Sequence, residues 1–248
     1  MHLPDPATLD RLADRGWPAL EREPLQGWTL RASSGVTNRA NSVLASGPVD
    51  DLETAVDAAE RWYADRSLPT VFQVTSASPP ALAEVLRRRG YRDHSLTDIL
   101  VAERSTVAAE SQVTESPAVR ITDHPDEGWL DTWWSVDGRG GAVERTVAAR
   151  ILTGGPALYA AHGDPAAPDS VARLALVDEW GGLFAVATRS GARRRGLARA
   201  LVHALSTASH EHGIRGLWLQ VLARNAPAHA LYASLGFRPA SRYAYWSL

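Results

Sequence analysis

The chain contains no cysteine and no lysine. Without cysteine there can be no disulfide, no Cys-ligated zinc, no iron–sulfur cluster and no thiol nucleophile. Without lysine there can be no Schiff-base catalysis, no PLP attachment and no P-loop, because each needs that amine. All 26 basic residues are therefore arginine. Long apolar runs are also missing, so no segment is expected to span a membrane. The formal net charge is only -2, too small to steer the chain to nucleic acid or an anionic membrane, and neither partner is expected. Met1 to Asp14 carries acids and prolines rather than a basic stretch followed by an apolar one. It does not read as a signal peptide, and a cytoplasmic location is expected.

What is present is ordinary globular material. The 248 residues are 45% hydrophobic and 22% charged, enough for a real core and for one to two domains. In the first half, Pro6 to Arg15 predicts a short helix. Gly27 to Arg31 alternates like a strand, and Asn41 to Ala45 suits another. Asp50 or Asp51 can cap a helix over Leu52 to Asp65. Thr70 to Val74 and Leu96 to Ala102 read as strands around a helix that Pro79-Pro80 opens and Gly90 stops. Glu103 to Pro117 is polar and lacks periodicity. These features divide the chain into residues 1–104, a linker at 105–117 and residues 118–248. The second half reads βααβββαβαβ. It runs from a strand at Val119 to Ile121, through helices near 126–136, 142–152, 194–212 and 227–235, to a last strand at Tyr243 to Leu248. Leu86 to Arg92 weakly repeats Tyr232 to Arg238, each ending an apolar helix with Gly-aromatic-Arg.

The chemistry concentrates in Leu183 to Phe237. An apolar strand through Thr188 meets Arg193-Arg194-Arg195-Gly196-Leu197-Ala198 and then a long helix. A helix N-terminus preceded by free backbone N–H groups is an anion site. Gly196 allows close backbone approach, and the arginines add charged donors. A diphosphate is the natural guest; a solvated arginine cluster is the alternative. Downstream, Gln220-Val221 ends a strand, Asn225 follows, and Tyr232 lies two helical turns further on, facing the same way.

Here the sequence resembles the GNAT superfamily of acyl-CoA N-acyltransferases. Arg193, Gly196 and Ala198 match its phosphate-loop signature. Val221, Asn225, Ala228, Tyr232, Gly236 and Phe237 match its Val-x-x-x-Asn-x-x-Ala-x-x-x-Tyr-x-x-x-Gly-Phe signature. The match spans about Val119 to Leu248. It implies an α/β (α+β) fold of two GNAT-like halves. Each half would be a mixed, mostly antiparallel twisted sheet flanked by helices, with a splayed strand pair in the C-terminal half. It further implies acetyl-CoA as co-substrate and a small-molecule or peptide amine as acceptor. Val186, Ala187 and Thr188 would bond the pantetheine arm through their backbones. Arg193, Arg194, Arg195, Gly196, Leu197, Ala198 and Arg199 would form the diphosphate loop, and Asn225 would orient the pantetheine. Tyr232 would protonate the leaving thiolate, as a phenol protonated at neutral pH can. With no cysteine and no Gly-x-Ser-x-Gly elbow, transfer would be direct. No metal is expected. A monomer or a homodimer would both serve.

Many relatives carry a Glu on the strand before the Asn, as general base. This chain has Gln220 there, which cannot accept a proton at useful pH. Asp178 and Glu179, just before the splayed strand, are candidates in its place, or simply cap a turn. Trp129, Trp133, Trp134, Glu144, Arg145 and Tyr159 fall where such folds build the acceptor pocket. The tryptophans suit a pocket wall or a core. The first half lacks the working parts: acids at Asp50 and Asp51 would repel a diphosphate, so no CoA is expected there. Its Gly27-Trp28-Thr29-Leu30-Arg31 and Gly35 to Val43 resemble the first half of a bacterial GNAT group without an assured substrate. Arg31, Thr37, Arg39, Asn41 and Ser42 could hold a carboxylate of an amino-acid-like acceptor, or satisfy a turn. An acyl-CoA-binding protein without catalysis, or a longer acyl donor, are the competing readings.

Overall fold

The computed structural model describes residues 3–109 and 118–248. The first half contains α1 (Pro6–Gly16), β1 (Glu21–Leu25), β2 (Trp28–Ala32), β3 (Val43–Leu44), α2 (Leu52–Ala64), β4 (Phe72–Thr75), α3 (Leu82–Arg88), β5 (Arg92–Glu103) and α4 (Arg104–Ala109). The second contains β6 (Arg120–Thr122), α5 (Glu127–Asp137), α6 (Ala142–Leu152), β7 (Ala157–His162), β8 (Ser170–Val177), β9 (Trp180–Thr188), α7 (Leu197–Ala208), β10 (Gly216–Leu222), α8 (Ala226–Ala233) and β11 (Arg238–Ser247). Aspartates start three helices as the capping rule expects. Asp5, Asp51 and Asp126 accept from the backbone N–H of Thr8, Thr54 and Trp129.

The mixed, mostly antiparallel sheet flanked by helices is present. Only β3–β4 and β9–β10 run parallel among the described pairings. The two halves do not keep to themselves, however. All eleven strands form one sheet in the order β1-β2-β3-β4-β11-β5-β10-β9-β8-β7-β6. The C-terminal strand β11 sits between β4 and β5 of the first half. In turn, β5 sits between β10 and β11 of the second. The expected division at residue 104 is thus not a division of the sheet.

Side-chain alternation explains why this interlock is stable. In β5, Ile99 and Val101 join one core while Leu100 and Ala102 join another on the opposite face. A strand apolar on both faces belongs in the middle of a covered sheet. In β11, Tyr243 and Tyr245 enter the first core and Trp246 enters a third beneath α2 and α3. The first core mixes both halves, with Leu9, Trp17 and Ile99 beside Trp129, Phe184 and Trp218. Arg173, fully buried on β8, donates to the Gly16 carbonyl at the end of α1 at 2.7 Å.

The expected linker is corrected over its first residues. Arg104–Ala109 is a helix, and Val107 is fully buried beside α7. Ser206 and His203 of α7 bond the carbonyls of Arg104 and Ala108. Residues 110–117 lie outside the described residues. Strand β1 has no alternating pattern to announce it; it is an exposed, charged edge strand, as edges tend to be.

Candidate active site

Strands β9 and β10 pair from Gly216–Trp180 only as far as Leu219–Leu183. Beyond that point each stays with its outer neighbour. Gln220 to Leu222 remain on β5, and Ala187 and Thr188 remain on β8. The sheet therefore opens into a wedge between Phe184–Thr188 and Gln220–Leu222. A bulge helps to open it: the β8–β9 register shifts between Val171 and Arg173, and Ala185 has φ 52°. A left-handed alanine costs on the order of 1–2 kcal/mol, so the surrounding structure must hold it there. The carbonyls of Ala187 and Thr188 accept from Ser170 Oγ (3.0 Å) and Arg193 Nε (3.3 Å).

One face of the wedge carries the arginine loop. After Thr188 a single 3₁₀ turn leads to Arg193-Arg194-Arg195-Gly196, and α7 begins at Leu197. Arg194 and Gly196 both have positive φ, 66° and 76°. Gly196 caps α7 without a side chain, and a Cβ added to it would meet nothing within 4 Å. The backbone at the start of the helix thus borders open space on the side of Gly196. Arg193, Arg194 and Arg195 are exposed around them. Arg195 reaches Asp169 (3.4 Å) and Arg199 reaches Ser234. Arg194 has no hydrogen-bonding or ionic partner among the described residues. This loop fits a diphosphate.

Tyr232 lies on the same face. Its ring is buried 5.7 Å from that of Phe237, in the core beneath α7 and α8. Its hydroxyl makes no hydrogen bond among the described residues, and burial pushes its pKa up to about 12. Asn225 is the N-cap of α8, accepting from Ala228 N–H at 3.2 Å, and is otherwise exposed. A pair not foreseen from sequence stands nearby: His229, one turn before Tyr232, faces Asp98 at 3.5 Å, and Asp98 also holds Arg242.

The other face of the wedge opens into a cavity of about 580 Å³. Ala185 and Leu222, from the two diverging strands, form its floor, so it meets the gap directly. Trp133 (buried) and Trp134 (half-buried) line it, joined by Trp17, while Trp133 also packs in the first core. Trp129 instead belongs to the core, donating to the Ala160 carbonyl. Arg39 reaches in from the β2–β3 loop, and Tyr243 and Tyr245 from β11. Glu144 borders the cavity, but its carboxylate accepts from Gly141 N–H (2.7 Å), which holds its pKa below the usual carboxylate range.

Three expected acceptor residues are placed elsewhere. Asp178 and Glu179 stand at the far end of β9, about 20 Å from the wedge at ~3.3 Å per residue. Asp178 forms an exposed two-pronged pair with Arg15. Asn41 is buried and fully engaged: its Oδ1 accepts from Ser33 and Gly35 N–H, and its Nδ2 donates to the Val36 and Thr37 carbonyls. It shapes the loop that carries Arg39. A larger cavity, about 950 Å³ and lined by Pro4, Glu179 and Arg215, lies at that far end, remote from the gap. Among the described residues no cluster of His, Asp or Glu could hold a metal, and no helix is long and apolar enough to cross a membrane.

A parallel strand pair that splays beside a glycine-capped helix N-terminus, with a buried tyrosine at the gap, defines a GNAT-type N-acetyltransferase. The chain belongs to the family described as "Probable histone acetyltransferase Rv0428c C-terminal", whose model matches residues 7–246. It is 25% identical over 240 residues to the "Uncharacterized N-acetyltransferase YobR" of Bacillus subtilis, covering 96% of each chain. Among solved structures, a GCN5-related N-acetyltransferase from Kribbella flavida superposes with a TM-score of 0.70 at 17% identity, over 97% of this chain and 94% of that one. A tandem GNAT protein from the clavulanic acid biosynthesis pathway does so with a TM-score of 0.67 at 14% identity, over 100% and 89%. These two likenesses are of fold.

Proposed function

We propose that the protein moves an acetyl group from acetyl-CoA to a primary amine by direct attack through one tetrahedral intermediate. The observation that carries this reading is the wedge itself, with an open anion loop on one face and an aromatic cavity on the other, both reaching Phe184–Thr188. The N–H groups from Arg194 to Arg199 would hold the diphosphate. The backbone of Val186, Ala187 and Thr188 would bond the pantetheine arm, and Asn225 would orient it through its free amide. A thioester at the gap would face the cavity, where the amine attacks. An N–H of the bulged segment near Ala187 would stabilise the oxyanion. Tyr232 would give its proton to the departing thiolate. Its raised pKa keeps that proton in place at neutral pH. Gln220 takes no proton, and Asp178 and Glu179 are too far away. The base then lies elsewhere, as the His229–Asp98 pair or Asp137 of the cavity would allow, or acts through water, or is unnecessary for an amine that arrives neutral.

A non-catalytic acyl-CoA-binding role is the second reading, favoured by a glutamine where relatives place a base. Calorimetric titration of acetyl-CoA into wild type and into an Arg194→Glu/Gly196→Asp variant tests the site. Micromolar affinity in the wild type, lost in the variant, supports it, and thiol release with an amine panel then separates the two readings. Absence of binding to the wild type would end both.

A further inference from the structure

Arg39 is a half-buried cation held in no ion pair: Tyr243 lies against it, and Asp137, which lines the same cavity, acts on it only at longer range. No carboxylate lies within 4 Å of it among the described residues. Its Nε donates to Gln220 Oε1 at 2.5 Å, and its guanidinium carbon lies 5.9 Å from the Phe184 ring centroid. The neighbouring Arg31 shows the contrast. Buried on β2, it is satisfied by Ser42, Gln73 and Asp14. Withdrawing a cation from water without pairing it is costly. Two polar groups on residues lining the same cavity, Trp133 Nε1 and Tyr245 Oη, are buried without a geometric hydrogen bond. Buried polar groups are nearly always bonded, so two such groups on residues that line the cavity beside Arg39 mark it as a site short of polar partners.

We infer that the acceptor carries a carboxylate beside its amine, as an α-amino acid does, and that Arg39 anchors it. With Nε committed to Gln220, the Nη1–Nη2 edge has the Tyr243 hydroxyl beside it but no ion pair, and it is a two-pronged donor matched to a carboxylate. Position fixes the spacing. Gln220 is the first residue past the last β9–β10 pair, so Arg39 stands beside the gap. A carboxylate held there brings an amine on the adjacent carbon to the wedge, whereas a long spacer would carry it past. Trp17, Trp133 and Trp134 then face the remainder of the acceptor, which favours an apolar or aromatic side chain.

This inference rests on the acetyltransferase reading, and the test keeps the two apart. The probes are the apolar and aromatic L-amino acids, their primary amides and their decarboxylated amines. Each is titrated calorimetrically into CoA-saturated wild type, Arg39→Gln and Arg39→Lys. The expected result is at least one amino acid that binds tenfold or more tighter than its amide and its amine. Arg39→Gln should abolish that preference, and Arg39→Lys should retain part of it. All three proteins should bind CoA alike, which shows that the variants are folded. The inference is overturned if no acid is preferred, including the case in which no probe binds, or if the preference survives Arg39→Gln. Failure of the wild type to bind CoA at all would instead remove the acetyltransferase reading beneath it.

Discussion

Arg39 of the first half donates its Nε proton to Oε1 of Gln220 in the second, at 2.5 Å. This bond joins the loop that looks most like an acceptor-binding element to the strand position that relatives use for a base. It brings the first half to the candidate site, where Trp17, Thr37 and Arg39 line the cavity. It also ties the glutamine amide to a structural task rather than to proton transfer.

Tyr232→Phe should lower turnover about ten- to a thousandfold while leaving CoA affinity unchanged, since only the transition state needs the proton. The pH dependence has a definite sign. A phenol whose pKa is raised to about 12 stays protonated throughout the usual assay range. Loss of the acid should therefore produce no alkaline limb below about pH 10. An alkaline limb near pH 9 that vanishes in the phenylalanine variant would contradict this assignment.

Much of the site is legible because its signals are local. Gly196 at φ 76°, Asn225 capping α8 and Tyr232 two turns later all follow from residue types at fixed spacing. The bulge at Ala185 is not legible, because alanine, unlike glycine, gives no hint of a positive φ. Nor is the β4-β11-β5-β10 interlock. Arg238 of β11 pairs with Val101 of β5 across more than a hundred residues, and an apolar strand reads alike in either half. Asp178 and Glu179, read as base candidates or as turn residues, sit in a turn. They adjoin β9 in sequence, but at the end where β9 and β10 still pair. Sequence adjacency to a strand says nothing about which end of it is used.

Asp178→Asn and Glu179→Gln should accordingly leave turnover within about twofold of wild type. Asp178 does hold Arg15, and that contact depresses its pKa. The pair is largely exposed, however, and exposed pairs contribute little. A large loss of kcat in either variant would restore them as base candidates and would require the far end of β9 to move.

Ala185→Gly separates strain from function. Glycine in a strand ordinarily costs roughly 0.5–1 kcal/mol. At φ 52° it also relieves a left-handed alanine, worth a similar or larger amount. The urea midpoint should therefore stay level or rise. Turnover should fall several-fold, because the freed backbone no longer holds the Phe184–Thr188 edge. A clear drop in stability would show that the alanine is not strained.

The interlocked sheet predicts that neither half is a free-standing domain. Residues 118–248 alone would lose β5 and so expose facing edges of β10 and β11. They would also lose Leu9, Leu12 and Trp17 from the shared core. Burying each of these side chains contributes about 1.5–3 kcal/mol, against a typical whole-domain stability of about 5–15 kcal/mol. The isolated fragment should show no cooperative urea transition by circular dichroism, whereas the whole chain should show a single one. A cooperative fragment would mean that β5 can be replaced by direct β10–β11 pairing.

Gln220→Glu would install the residue that many relatives use as a base, and the geometry predicts that it will not behave as one. The new carboxylate would fall on Arg39 Nε, where Gln220 Oε1 now sits. An adjacent guanidinium lowers a carboxylate's pKa and stabilises its charged form, which weakens it as a proton acceptor. The same contact would neutralise the cation that the acceptor carboxylate is inferred to need. Turnover with α-amino acid acceptors should fall tenfold or more through a higher KM. The amide and decarboxylated analogues, which do not use that charge, should be little affected. If the variant instead gains kcat on all amines, with an acid limb in its pH profile, then Gln220 has replaced a base whose loss limits the enzyme, and Arg39 is not the acceptor's anchor.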